Sequence, residues 1–313
     1  MAHHELPSTP ETVHWGYFEA DRAPVLTVRS GDTIDIDCLS GEPEDMPAAD
    51  QGFDILAEHV AVHERCERGP GPHFMTGPIA VEGAVPGDVL EVRIRDIRPR
   101  VNWGWNIIEP LLGTLPEDFP EQRRLHIEIG REAMVCKLPW GRDLPLRPFF
   151  GVMGVAPPPA WGRVSSVQPR AHGGNMDNKE LTAGTTLFLP VWNDGALFSA
   201  GDGHGVQGDG EVCLTALETC LSGTFELIVR KDLSLTMPRA ETSTHHVTMG
   251  MNEDLDDAAK QALREMIVLI RERTNLGPED AYTLCSLAAD MRITQLVDGN
   301  KGVHTMLPKD AIA

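Results

Sequence analysis

"PVLTVRSGDTIDIDCLSG", residues 24–41, alternates apolar and polar side chains on both sides of Ser30-Gly31-Asp32. Period-two alternation interrupted by a glycine-containing turn predicts a pair of strands, most simply a β-hairpin. "GPIAVEGAVPGDVLEVRIRDIRP" (77–99) repeats the pattern, with Pro86-Gly87-Asp88 between Ile79-Val81 and Val89-Val92-Ile94. A shared turn type explains the likeness more simply than an internal duplication does. Working outward, the apolar runs at 149–155, 185–192 and 224–232 read as further strands, and the Trp- and Pro-rich stretch 100–160 as long loops and short strands. With 30 glycines and 24 prolines, the chain is expected to be mainly β: a sandwich or barrel-like body of short strands.

The C-terminal part reads differently. Helices are expected near 253–274 and 278–290. Asn252 would cap the first, acids crowd its first turns, and Leu255, Ala259, Leu263, Met266, Ile267 and Ile270 form its apolar face. Gly277-Pro278 stops it, and a strand follows in "MRITQLV". The expectation is one domain over 1–313, with a β-rich part (1–235) and a small α/β extension (236–313).

Composition narrows the partners. The 313 residues carry 47 acids against 27 bases, a formal net charge of −20, which repels phosphate backbones and anionic lipid. A small neutral substrate or a bound cation fits better than nucleic acid or membrane. The six cysteines show no CxxC pair, and the N-terminus lacks a signal pattern, so a cytoplasmic protein with free thiols is expected.

The chemistry concentrates in "GDGHGVQGDGE" (201–211). "GHGVQG" has dinucleotide-loop spacing, but Asp202, Asp209 and Glu211 would repel phosphates and no convincing helix follows. An EF-hand fails because position 204 is His. A metal site remains: Asp202 and His204, two apart, point to one face of an extended segment. "PRAHGGNMDNKEL" (169–181) offers a second polar, glycine-supported cluster with His172, Gly174, Asn175 and Asp177. If the two clusters meet, their carboxylates need a cation or a shared proton. Glu218, in the apolar "LTALETCLSG", is either a solvent-facing strand residue or a buried ligand or base. His73 lies in a Gly/Pro-rich loop suited to closing over a pocket, whereas His59 and His63 read as an amphipathic surface helix or loop without HExxH. No GxSxG elbow or Ser-Ser-Lys frame is present, so activated water is the economical nucleophile.

At "HGGNMDNKELTAGTTLFLPVWNDGALFSAGDGHGVQGDGEVCLTALET" (172–219) the chain closely resembles the acetamidase/formamidase family, and the likeness extends to 10–18, 77–94, 148–157 and 287–309. The resemblance implies a mostly-β fold, homo-oligomers, metal near the His/Asp loops, and hydrolysis of formamide or acetamide to carboxylate and ammonia. Its motifs place Asn175 and Asp177, Asp202 and His204, Asp209 and Glu211, and the acid of the next strand at Glu218. Gly205-Val206 after the histidine departs from the family's frequent alanine and leaves substrate size open.

The expected assignment follows. Asp177, Asp202 and His204 bind a divalent metal, zinc for preference, with Ca2+ as a second or structural ion. Glu218 or Glu211 serves as base and Asn175 stabilises the oxyanion. His73, His172, Asp209 and Gly174 contact substrate. The competing readings are a non-catalytic, metal-tied binding or structural oligomer, and a hydrolase of a larger linear or cyclic amide.

Overall fold

The alternation at 24–41 does not close a hairpin. In the computed structural model, which describes residues 1–313, Leu26–Val28 runs parallel to Phe74–Val81 in one sheet. Asp32–Asp37 lies in another, parallel to His3–Leu6 and antiparallel to Leu221–Arg230. The stretch 77–99 behaves the same way: Phe74–Val81 stays in the first sheet while Val89–Pro99 pairs with Leu221–Arg230 and Thr186–Pro190 in the second. Both turns are arches that carry the chain from sheet to sheet. Alternation records only that one face of each strand is buried, so it reads alike whether two strands pair or face each other across a core.

The protein is mostly β. One sheet has nine strands, in the order His3–Leu6, Asp32–Asp37, Leu221–Arg230, Val89–Pro99, Thr186–Pro190, Arg239–Glu241, His245–Asn252, Lys301–Pro308 and Asp290–Gln295. The facing sheet runs Gly173–Asn175, Phe149–Gly154, Phe198–His204, Phe74–Val81, Val13–Trp15, with Leu26–Val28 also on Phe74–Val81. A core of 33 buried residues fills the space between them. Phe225 of the larger sheet meets Phe150 of the smaller edge-to-face, with centroids 5.1 Å apart at 82°, a geometry favoured by the ring quadrupoles.

The stretch read as long loops and short strands holds a regular four-stranded antiparallel meander, Trp103–Ile108, Arg123–Gly130, Val135–Leu138 and Arg142–Pro145. Its first strand is tied to the sandwich where Trp105 and Glu218 exchange two backbone hydrogen bonds of 2.8 Å.

The helices form at Leu255–Arg273 and Pro278–Ala288. The cap of the first is Asp254 rather than Asn252: its carboxylate accepts from the N–H groups of Asp256 and Asp257, which a charged acceptor at the positive helix end does well. The packed face is also rotated from the expected one. Ala258, Ala262, Met266, Leu269 and Ile270 are buried, whereas Leu255, Ala259, Leu263 and Ile267 are only partly so. The alanines go inward because the helix touches the sheet backbone at Gly250, where a Cβ would overlap the Ala258 carbonyl oxygen and lie 2.6 Å from Ala262 N.

A further helix, Ala57–Arg65, carries His59 and His63. Each donates from Nε2 to the Gly41 carbonyl, at 2.9 and 3.0 Å. His59 is buried, not a surface residue, and burial pushes it down to about 4. No helix is long and apolar enough to cross a membrane.

Candidate active site

The segment that looks most supple in sequence is half rigid. Residues 198–204 form a fully buried strand, and only the following residues turn. Its glycines serve close packing: a Cβ at Gly203 would overlap the Thr219 carbonyl oxygen and lie 2.7 Å from Leu221 Cγ. This strand delivers Asp202 and His204, both buried, to one end of the smaller sheet.

Around the imidazole stand four carboxylates. His204 Nε2 lies 3.0 Å from Asp202 Oδ2, 3.1 Å from Glu218 Oε1, 3.8 Å from Asp177 Oδ1 and 3.9 Å from Glu211 Oε1. The two glycine-supported clusters thus converge. Asp298, from the loop after Asp290–Gln295, adds a fifth buried acid, close enough to Asp177 and Glu211 to share their field. Gly151, in the strand Phe149–Gly154, forms the floor: a Cβ there would press on Asp202 Oδ2 and lie 2.5 Å from Asp177 Oδ1 and 2.8 Å from His204 Cε1.

Gln207 sets the tautomer of the histidine. Its amide nitrogen donates to the Asp177 carbonyl at 2.8 Å, which turns Oε1 towards His204 Nδ1 at 2.9 Å. Nδ1 therefore carries a proton and donates to Gln207, leaving Nε2 for the acids or for a metal. Glu218 is oriented by the Ser40 hydroxyl, donating to Oε2 at 3.2 Å, and the Ala216 N–H, donating to Oε1 at 3.0 Å. Three of the acids sit in left-handed backbone conformations, Asp177 at φ 47°, Asp202 at 56° and Glu211 at 47°. Such positions cost a side-chain-bearing residue roughly 1–3 kcal/mol each and persist only where the surroundings impose them.

The electrostatics are unbalanced. Burial, reinforced by neighbouring carboxylates, raises Glu211 and Asp298 well above the ordinary carboxyl range. Burial also raises Asp177 against the pull of His204, and pushes Glu218 up to about 8. His204 is raised well above its usual value: burial opposes its charge, but Glu218 and Asp202 outweigh burial. Asp202 is lowered, because the attraction of His204 overcomes its desolvation. Both oxygens of Asp177, Oε2 of Glu211 and Oδ2 of Asp298 are buried with no hydrogen-bond partner. A centre of five acids and one histidine has to take up protons or a cation to exist in a low-dielectric interior.

A cavity of about 550 Å3 opens onto this centre and is lined by Asp177, Asp202, His204, Glu211, Glu218 and Asp298 together with Asn175 and His73. Asn175 donates from Nδ2 to the Val167 carbonyl at 3.2 Å, and its Oδ1 is left unpartnered. His73 is held by Ser166, with Nδ1 and Oγ 2.9 Å apart. The other sequence candidates lie elsewhere. His172 is buried with its ring against the edge of Phe18, centroids 5.0 Å apart, and Gly174 lies beside it, so that a Cβ there would come within 3.1 Å of His172 Nε2. Asp209 is exposed and pairs with Lys179 at 2.9 Å. None of these three lines the cavity.

Gly151, Gln207 and Asp298 were not among the sequence candidates. Asp298 sits in "VDGNKG" (297–302), an acid followed directly by a glycine, as Asp202 is. Gly151 and Gln207 carry no signal in a single sequence.

Fold and centre together define a two-sheet β-sandwich protein with a buried histidine–carboxylate site suited to a metal ion. The chain belongs to the acetamidase/formamidase family, which it matches over residues 7–162 and 159–312. It is 31% identical to the solved acetamidase of Bacillus halodurans, with a TM-score of 0.84 over 97% of each chain. Identity is 30% to the formamidase of Methylophilus methylotrophus, covering 61% of this chain and 58% of that one. For the acetamidase of Mycolicibacterium smegmatis the values are 27%, 61% and 59%. The chain therefore spans under two thirds of the length of these curated relatives.

Proposed function

We propose that the protein hydrolyses linear carboxamides of the formamide and acetamide type to carboxylate and ammonia, with water as nucleophile at a divalent-cation centre. Family membership supports amide hydrolysis. The observation that carries the cation is the gathering of four buried carboxylates around one imidazole nitrogen with a fifth, Asp298, beside them, and four oxygens of the set lacking any partner. The donors are nitrogen and oxygen only, a set suited to zinc.

Two overlapping groups can hold the ion, Asp202–His204–Glu218 and Asp177–His204–Glu211. The first has the shorter distances to Nε2 and the better-oriented carboxylate, so Glu218 takes the ligand place that sequence gave to Asp177. A cation held there supplies a Lewis acid for the amide carbonyl and brings the pKa of water to about 7.

The chain's own groups do the rest. Glu211, with Oε2 free, accepts a proton from the attacking water and passes it to the departing nitrogen, which leaves as ammonia. Asn175 presents a wholly unpartnered acceptor, Oδ1, so it receives an N–H of the substrate carboxamide instead of stabilising the oxyanion. Gln207 keeps the His204 proton on Nδ1 throughout.

Ammonia release from acetamide and formamide tests this reading. Zinc-loaded protein should release it, chelator-treated protein should lose at least 100-fold in rate, and added zinc should restore it. Equal rates before and after chelation would overturn the proposal.

A further inference from the structure

The cavity is far larger than acetamide. Four heavy atoms displace on the order of four waters at ~30 Å3 each, roughly a fifth of the 550 Å3 available. Cavities of about 300–1,000 Å3 are typical of sites for much larger ligands.

One wall beyond the acid centre is apolar. Trp105 and Ile107 project from one face of the strand Trp103–Ile108, and Leu112 and Leu214 continue the surface. Trp105 is nine-tenths buried, yet its indole N–H has no acceptor. A buried donor without a partner is costly, and this indole lines the cavity beside Gly41.

The cavity lining also includes a charged group of residues. Glu42 is paired with Arg68 at 2.7 Å and Asp45 with Arg124 at 2.9 Å. Glu44 and Glu109 line the same cavity and have no basic partner. Carboxylates in excess of arginines repel an anionic guest and tolerate a neutral or cationic one.

We propose that the substrate is a carboxamide whose acyl chain runs well beyond acetyl, apolar along its length and neutral or cationic at its far end. The proposal rests on the amidase reading for the orientation of the carboxamide, but the fit of the chain to the cavity is measurable without turnover. The carboxamide sits at Asn175 and the acid centre, the chain lies along Trp105 and Ile107, and the far end reaches Glu44 and Glu109.

The test is calorimetric binding to zinc-loaded protein of acetamide, hexanamide, 6-aminohexanamide and the monoamide of adipic acid, with ammonia release followed in parallel. Hexanamide and 6-aminohexanamide should bind at least tenfold more tightly than acetamide, and the anionic monoamide at least threefold more weakly than hexanamide. Leu112→Asp, at a half-exposed position, should cut the hexanamide-to-acetamide affinity ratio at least threefold. Acetamide binding as tightly as hexanamide, or the anion binding as tightly as its neutral counterpart, would overturn the proposal. Tight hexanamide binding without ammonia release would sink the amidase reading and leave the chain-length assignment standing.

Discussion

Gly151→Ala should disable the centre while leaving the sandwich folded. The new methyl would lie 2.5 Å from Asp177 Oδ1 and 2.8 Å from His204 Cε1, and would press on Asp202 Oδ2. To reach the 3.4 Å at which ordinary contact begins, those groups must retreat by roughly 0.6–1.0 Å. A misplacement of about 1 Å in a catalytic constellation costs about 100-fold. Overpacking costs roughly 1–3 kcal/mol, offset by about 0.4–1 kcal/mol because alanine restricts the unfolded chain. The net loss of stability is thus about 2.6 kcal/mol at most, a fall in Tm below roughly 10 °C. Gly208→Ala is the control, since a Cβ there meets nothing within 4 Å and the rate should stay within about twofold. The assays are ammonia release, bound metal and a thermal melt. A Gly151→Ala protein with full activity and full metal content would refute the geometry described for the centre.

Other outcomes follow from the same contacts. Gln207→Leu removes the acceptor that fixes His204 and should weaken zinc binding by about 10–100-fold, read by competition with a chelator; unchanged affinity would show that the imidazole needs no such support. Asp298→Asn should stabilise the ion-free protein at neutral pH. The Asp298 carboxyl is raised in the folded state from a usual 3.8, so wild-type folding requires proton uptake that becomes harder as pH rises. The gain should therefore vanish below about pH 3 and grow towards neutrality, and a gain independent of pH would contradict it. Gly250→Ala should lower the urea midpoint by the equivalent of roughly 1–3 kcal/mol, because helix Leu255–Arg273 must lift from the sheet; an unaltered midpoint would show that the close approach carries no load.

Much of this architecture could be read from residue patterns, and the failures have a common cause. Alternation at 24–41 and 77–99 located strands correctly but not their partners, because burial of one face is all that a period of two encodes. The pairing of Leu26–Val28 with Phe74–Val81 is non-local and leaves no mark in either segment. The expected helix face chose the larger side chains, whereas the backbone contact at Gly250 selects Ala258 and Ala262. At the site, acids among glycines signalled Asp177, Asp202, Glu211 and His204 because charged side chains in tight backbone need a reason to be there. Glu218 stood out by its apolar neighbours. His172 and Asp209 share the same motifs, yet one is packed against Phe18 and the other is paired with Lys179 at the surface. Only the fold separates motif residues that face the cavity from those that support it.

The central claim is that the acids around His204 share one cation. Diffraction from a zinc-soaked crystal, recorded on both sides of the zinc absorption edge, tests it most directly. The account predicts an anomalous peak about 2.0–2.2 Å from His204 Nε2 and from oxygens of Asp202 and Glu218. No peak at that position, in a protein that still releases ammonia from amides after chelation, would contradict it.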